Sequence, residues 1–420
     1  MKRVKHIIAA ILFSLTLKVN ASYIFVPMDE NQANHLKAYG LAYWVLQNDV
    51  EVDWLLNYRG GSFMMKYYQK FENELIIRGI SYEVISDARS SQIIKEISSP
   101  SSNTDVMKLE KFPRIAVYSP KSKQPWDDAV TLALTYAEIP YDVVFDDEVL
   151  SDKLLLYDWL HLHHEDFTGQ FGKFTYNMNQ PWFIQQKKEA ESIAAKYGFT
   201  KVSQLKLAVV KKIRVFVTQG GFLFAMCSAT DTYDIALSAD GVDICDNIYD
   251  GDPMDIDAQN KLNYENTLAF TNFKLKLNPR VYEYSNIDNQ MQERKLRERN
   301  DYFNLFEFSA KWDPIPTMLT QNHTRIIKGF MGQTTAFKKH LVKKDVVIMG
   351  DTKSANEVRY IHGIFGKGFW TFYGGHDPED YIHQVGDKPT DLNLHPNSPG
   401  YRLILNNILF PAAKKKKQKT

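Results

Sequence analysis

Apolar positions along the chain recur at two spacings, and the switches between them mark its elements. YIFVP (residues 23–27) reads as a strand, the stretch from Asn31 to Gln47 carries apolar residues at helical spacing, and EVDWLLN (51–57) reads as a second strand. After Arg59-Gly60-Gly61 the pattern predicts a helix over about 62–78, then a third strand in ISYEVIS (80–86). This alternation predicts a parallel sheet in an N-terminal α/β domain, residues 22–105. SSPSSNTD (98–105) continues neither period and marks the domain boundary.

A new alternation follows in 111–413. Strands are predicted in RIAVYS (114–119), YDVVFD (141–146) and YDWLHLHH (157–164), with helices over 126–138, 181–197 and 203–218. The last helix runs into GGFLFAMC (220–227) and then another helix. This is the pattern of a doubly wound parallel α/β sheet. From about 240 to 344 the alternation fails, which predicts an insertion with a strand-like FKLKLNPRVYEY and a charged helix near 289–299. The core resumes with DVVIMG (345–350), a strand pair over 358–375 and a closing helix over 401–410.

With 420 residues and 44% hydrophobic content, the chain can bury a large core without staples. The formal net charge of +1 creates no field to attract nucleic acid, which excludes it as a general partner. The lysine-rich end, 414–420, reads as a solvated basic tail. At the other end, a basic start, an apolar run from Ile7 to Leu17 and a small residue at Ala21 have the layout of a signal peptide, residues 1–21. The run is too short for a bilayer span, which needs about 20 residues, so the reading is a cleaved, periplasmic or secreted protein with no stable membrane span.

In an open parallel sheet, ligands bind beyond the carboxyl ends of the strands. The polar residues at those ends are Ser119, His163, His164, Glu165, Asp166, Cys227, His376, Asp377 and Glu379. A thiol, imidazoles and carboxylates converging from separate strands are what cysteine-dependent nucleophilic catalysis requires. Other readings of the same residues stay open. Cys227 can be a buried thiol or pair with Cys245, and His164 with Asp166 can ligate a divalent metal. The aspartates between Asp240 and Asp257 read as a solvated loop or a hard-cation site, and NYRGGSF (57–63) as a tight turn or an anion site.

The helix, GGFLFAMC and helix resemble the nucleophile elbow of the class I glutamine amidotransferase-like superfamily. GKGFWTFYGGHDPE resembles the segment carrying that superfamily's histidine and acid, and ILNNILFPAA is similar to the closing helix of its trehalose-utilisation branch. The resemblance covers about Lys111 to Ala413. It implies a flavodoxin-like sheet in which Cys227 attacks a carboxamide or acyl carbon, His376 is the base, Asp377 or Glu379 its acid, and the Ser228 N–H an oxyanion donor. Ser119, His163, His164 and Glu165 would then contact substrate. Ala225 and Ala229 stand where that elbow has glycine, and Glu379 lies three residues after His376 where the superfamily's acid lies two after.

The whole chain also resembles a Bacteroidetes family labelled asparagine synthetase B. The residues such a synthetase needs are absent: Lys2 replaces its cysteine, and there is no SGG-x-DS phosphate loop. Two other functions fit the same pattern, a non-catalytic carbohydrate- or metal-binding module and an envelope-assembly protein. A small-molecule or carbohydrate substrate is consistent with aromatic residues such as Trp126, Trp159, Trp182 and Trp370, while the oligomeric state is open. Amino-terminal sequencing of the protein from its native host is expected to start near Ser22, and an intact Met1 would overturn the export reading.

Overall fold

The computed structural model describes residues 22–122, 124–289 and 294–414. The expected signal peptide and all of the basic tail but Lys414 lie outside them. The described residues form a mixed α/β fold with two sheets.

The first sheet contains β1 (Tyr23–Val26), β2 (Val52–Leu56), β3 (Ser62–Lys66), β4 (Glu83–Ile85) and β5 (Asp105–Leu109) in the order β4-β1-β3-β2-β5. Every pairing is antiparallel, which corrects the parallel sheet expected from the alternation. The cause is local. Residues 62–66 are not the start of a helix but the return strand of a hairpin, and helix α2 begins only at Gln69 (Gln69–Arg78). SFMM is buried on both faces, so it shows no alternation in sequence and imitates a helix segment.

The hairpin turn runs through Asn57, Arg59, Gly60 and Gly61, all at positive φ. A Cβ on Gly60 would lie 2.2 Å from the Met28 carbonyl oxygen, so only glycine fits. Arg59 pairs with Asp29 at 2.7 Å and Glu83 at 2.8 Å, which makes NYRGGSF a tied turn.

Helix α1 (His35–Gln47) packs on one face of this sheet, against Ile24, Trp54, Phe63 and Met65, and α3 (Asp87–Ile97) on the other, against Phe25, Leu55 and Met64. The boundary expected at 105 falls just short of β5, which completes the first sheet. The face under α3 has its own cluster, while on the other face α1 is buried nearly all round and shares one cluster with the second sheet.

The second sheet contains β6 (Ile115–Tyr118), β7 (Asp142–Val144), β8 (Trp159–Leu162), β9 (Phe222–Met226), β10 (Tyr302–Leu305), β11 (Ile326–Lys328), β12 (Phe337–Lys338), β13 (Val347–Thr352), β14 (Glu357–Phe365) and β15 (Gly368–Tyr373). Its order is β11-β10-β13-β14-β15-β9-β8-β6-β7, with β12 paired to β14. The five strands from β7 to β15 are mutually parallel, and the rest add antiparallel.

Side chains alternate across this sheet. Val117, Trp159, Phe224 and Met226 face α1, α4 (Ala129–Tyr136) and the closing helix Pro399–Leu409. Ala116, Leu160, Leu162 and Leu223 face α6 (Val202–Gln219), which follows α5 (Pro181–Lys196), and α7 (Ala229–Ser238).

The segment expected as an insertion contributes β10, β11 and β12 to this sheet. The helix expected near 289–299 is absent among the described residues, where Glu298–Asn300 form a single 3₁₀ turn, and FKLKLNPRVYEY has only the isolated bridge Leu275–Ser285.

A buried ion network fastens this segment. Both Asp301 oxygens lie 2.7 Å from one Arg359 nitrogen, Arg294 lies 3.0 Å from Asp301, and Arg294 pairs with Glu357 at 2.8 Å. Arg359 also donates to the carbonyls of Phe330 and Thr335, at 2.7 and 3.1 Å, and so grips the loop between them. Asp301→Ala leaves two buried guanidinium groups short of a partner and is expected to cost about 3–5 kcal/mol in urea unfolding. A cost below about 1 kcal/mol would show that the network is not needed.

Candidate functional site

Four neighbouring parallel strands, β6, β8, β9 and β15, end at the same edge, and the residues after each converge. β6 lies between β7 and β8, so chain connections leave it in opposite directions and open a crevice at its carboxyl end. Into that crevice come Asp127 and Asp128 after β6, His163 and His164 after β8, Cys227 after β9, and His376 after β15.

Cys227 is the residue at which β9 turns into α7. Its φ is +48°, a left-handed conformation that costs a non-glycine residue of order 1–3 kcal/mol. Its N–H donates to the Gly375 carbonyl at 3.1 Å, and the Ala229 N–H donates to the His163 carbonyl at 3.0 Å. These bonds hold the turn although Ala225 and Ala229 flank it. The Ser228 N–H has no acceptor among the described residues. Both cysteines are free, and Cys245 is buried with its thiol donating to the Thr168 carbonyl at 3.1 Å.

The side-chain donor atoms of His163, His164, Cys227 and His376 all lie within 4.8 Å of one another. Asp127 lies within 4.8 Å of both His376 and His383, with its Oδ1 2.8 Å from His383 Nε2. Asp128 caps helix α4 with one oxygen, accepting the N–H groups of Val130 at 2.7 Å and Thr131 at 2.9 Å. Its other oxygen lies 3.1 Å from His161 Nε2 and 3.3 Å from His163 Nδ1.

Electrostatics divides the imidazoles. Burial disfavours charge on His376, but the Asp127 carboxylate and the Cys227 sulfur beside it win and push its pKa up to about 10. Burial outweighs Asp128 at His163 and brings it down to about 4. His164 is held well below the usual histidine range by burial and by His163 and His376. Asp127 is depressed, because His376 and His383 overcome the desolvation that opposes it. One imidazolium thus faces the sulfur while two neutral imidazoles stand beside it.

The expected acids take other roles. Asp377 accepts the Glu379 N–H at 2.9 Å and the Thr390 hydroxyl at 2.8 Å, closing a turn, and Glu379 pairs with His395 at 3.2 Å. The carboxylate at His376 is Asp127, which the sequence conceals inside a helix start. The signal for it was the acidic pair directly ahead of an apolar helical run on the loop after a core strand.

Asp166 accepts the N–H groups of Thr168 and Gly172, at 2.7 and 3.0 Å, and builds its own loop, outside the histidine cluster. Glu165 accepts the His163 N–H at 2.8 Å, and burial pushes it up to about 7. Ser119 bonds only backbone, its N–H to Val144 at 3.0 Å and its hydroxyl to Pro120 at 3.4 Å. Among the Asp-rich residues, Lys201 fills the space between Asp243, Asp250 and Asp252, a cation already in place.

One feature that sequence reading missed borders the thiol. The loop 330–335 crosses it so closely that a Cβ on Gly332 would lie 3.1 Å from Sγ and 2.9 Å from the His376 backbone nitrogen. Beside His164, a pocket is lined by Trp126, Glu165, Phe171 and Phe174, with Trp182 packed edge-on against Trp126. Trp159 and Trp370 instead belong to the core.

Compared with known proteins, the chain matches no family model and no curated protein. Among solved structures it is similar to two proteins described as cytoplasmic proteins of Salmonella typhimurium. One is 10% identical with a TM-score of 0.36, the other 12% identical with 0.35, and each match covers 72% of this chain and 100% of the other. A GH42 beta-galactosidase, Gan42B, is 11% identical over 64% of this chain and 28% of its own, with a TM-score of 0.28. All three scores fall short of establishing a shared fold.

The Asp127–His376 pair makes stability pH-dependent. His376, raised from 6.5 to about 10, stabilises the fold fully below 6.5 and loses that contribution as pH rises towards 10. Asp127, depressed from 3.8, stabilises above 3.8 and loses it as pH falls further. The stability difference between wild type and His376→Ala in thermal unfolding is expected to shrink steadily from pH 6.5 to 10. A difference constant over that range would remove the imidazolium.

Proposed function

We propose that the protein is an exported, flavodoxin-like member of the class I glutamine amidotransferase-like superfamily that transfers or hydrolyses an acyl or carboxamide group through Cys227. The parallel strands support the fold assignment: numbered in chain order they lie 2-1-3-4-5, the flavodoxin order. The observation that carries the activity is the strained Cys227 at a strand end with a His376 ring nitrogen within 4.8 Å of its sulfur.

In this reading the Cys227 sulfur attacks the carbonyl carbon, and the His376 imidazolium opposite it gives a proton to the leaving amine. Water then enters with His376 as base, which restores the imidazolium, and the thioester is cleaved to release the acid and leave the sulfur as thiolate beside it. Asp127 stabilises the imidazolium and fixes its orientation, the part played by the third member of such sets. The free N–H of Ser228, next in chain to the nucleophile, suits the developing oxyanion. The pocket beside His164 supports a small substrate with an apolar or sugar face that packs on Trp126 and Phe174, with Glu165 positioned to bind its polar groups.

Among the described residues no helix is long and apolar enough to cross a membrane. An exported protein of this kind would act on amides or acyl groups of the envelope.

Screening a panel of carboxamides and activated esters tests the reading. Cys227→Ser and His376→Ala are expected to lower kcat/KM by about three orders of magnitude or more, and Asp127→Asn by about 10²–10⁴. Glu379→Gln is expected to leave it within about twofold, since Glu379 pairs with His395. Turnover that survives Cys227→Ser would overturn the mechanism.

A further inference from the structure

We infer that His163, His164, His376 and Cys227 form a binding site for a borderline-soft divalent metal of the zinc class, whose occupation caps the thiol and switches off its chemistry. As regulation this rests on the acyl-transfer reading; as a metal site it stands on the cluster alone.

The donor set is three imidazoles and one thiol, all within 4.8 Å of one another. Tetrahedral zinc with bonds of about 2.0–2.3 Å holds its donors roughly 3.3–3.6 Å apart, so small rotamer adjustments close the site. Nitrogen and sulfur donors select zinc, cobalt or copper and reject calcium and magnesium, which need oxygen.

Each imidazole also has an outer partner of the kind that fixes metal-ligating histidines. His163 Nδ1 lies 3.3 Å from Asp128, His164 Nε2 lies 2.7 Å from the Asp127 carbonyl oxygen, and His376 stands beside the Asp127 carboxylate. The inward atoms are left over. Both ring nitrogens of His163 and Nε2 of His376 are buried and without a hydrogen-bond partner, in residues 0% and 6% exposed, although His163 Nδ1 lies near Asp128. Buried nitrogens left unpaired cost about 1–3 kcal/mol each, a cost that a bound ion would remove.

His164 is half-buried and lines the pocket, which gives an ion its way in. The neighbouring groupings are weaker candidates. Asp128 is committed to its helix cap and two histidines, and the grouping of Asp243, Cys245 and Asp250 already holds the Lys201 ammonium.

Binding replaces a proton: the ion takes the sulfur as thiolate and the facing nitrogen of His376, and the imidazolium proton leaves to solvent. No electron transfer is involved. A sulfur held in this way cannot attack a carbonyl, so metal occupancy and acyl transfer exclude each other.

Cobalt(II) titration of the full chain after chelator treatment and dialysis tests the site. The expected result is one equivalent bound with a near-ultraviolet thiolate-to-cobalt charge-transfer band, lost in Cys227→Ser. Binding should be at least about 10-fold weaker in His164→Ala, with unchanged circular dichroism confirming its fold. One equivalent of zinc should also slow alkylation of Cys227 by iodoacetamide at least about 10-fold.

Absence of the band at saturating cobalt, equal affinity in His164→Ala, or alkylation indifferent to zinc would each overturn the site. The two readings fail separately. A chain that binds cobalt through sulfur but turns over no acyl substrate keeps the metal site and loses the enzyme, and a chain that turns over but binds no cobalt does the reverse.

Discussion

Two consecutive carboxylates, Asp127 and Asp128, hold the site together. They stand in one loop after β6 yet serve different partners. Asp128 fixes His161 and His163 while capping α4, and Asp127 keeps His376 charged against the sulfur. Remove that negative charge, and His163 and His376 would be left crowded against the thiol at one sheet edge without their carboxylate partners. Burial alone would then disfavour charge on His376. Asp127 helps keep His376 cationic, while burial keeps His163 and His164 neutral.

The second constraint is steric. Cys227 is forced to positive φ because β9 ends directly against α7, and its N–H is committed to the Gly375 carbonyl. Over it lies the loop around Gly332, fastened from behind by Arg359 and Asp301. A segment that interrupts the core in sequence thus covers the thiol in space. His164 belongs both to the cluster around the thiol and to the pocket where the aromatic residues gather.

The shared core between the two sheets bears on the N-terminal region. α1 is sandwiched between its own sheet and the closing helix, and Arg402 of that helix donates to the Met28 carbonyl at 2.8 Å. Through α1, the described N-terminal residues 22–109 pack against the site's sheet.

Much of the second sheet was legible in sequence because its strands are short apolar runs bounded by turn residues and its helices are long enough to show a period, as in α5 and α6. The strand-to-helix turn at Cys227 and the placement of His163, His164 and His376 at strand ends followed from that order. Three things did not. The hairpin of β2 and β3 was hidden because a strand buried on both faces has no alternation. Asp127 and Asp128 were read as helix residues, since nothing local distinguishes a cap from a carboxylate that also meets two histidines from a distant strand. Asp377 and Glu379 are close to His376 in sequence, but in the fold they bond Thr390 and His395. Sequence alone determined which residues end the strands, because periodicity is a local property of the chain. Tertiary structure decided which of those ends meet, because strand order and the crevice at β6 arise only when distant segments pair.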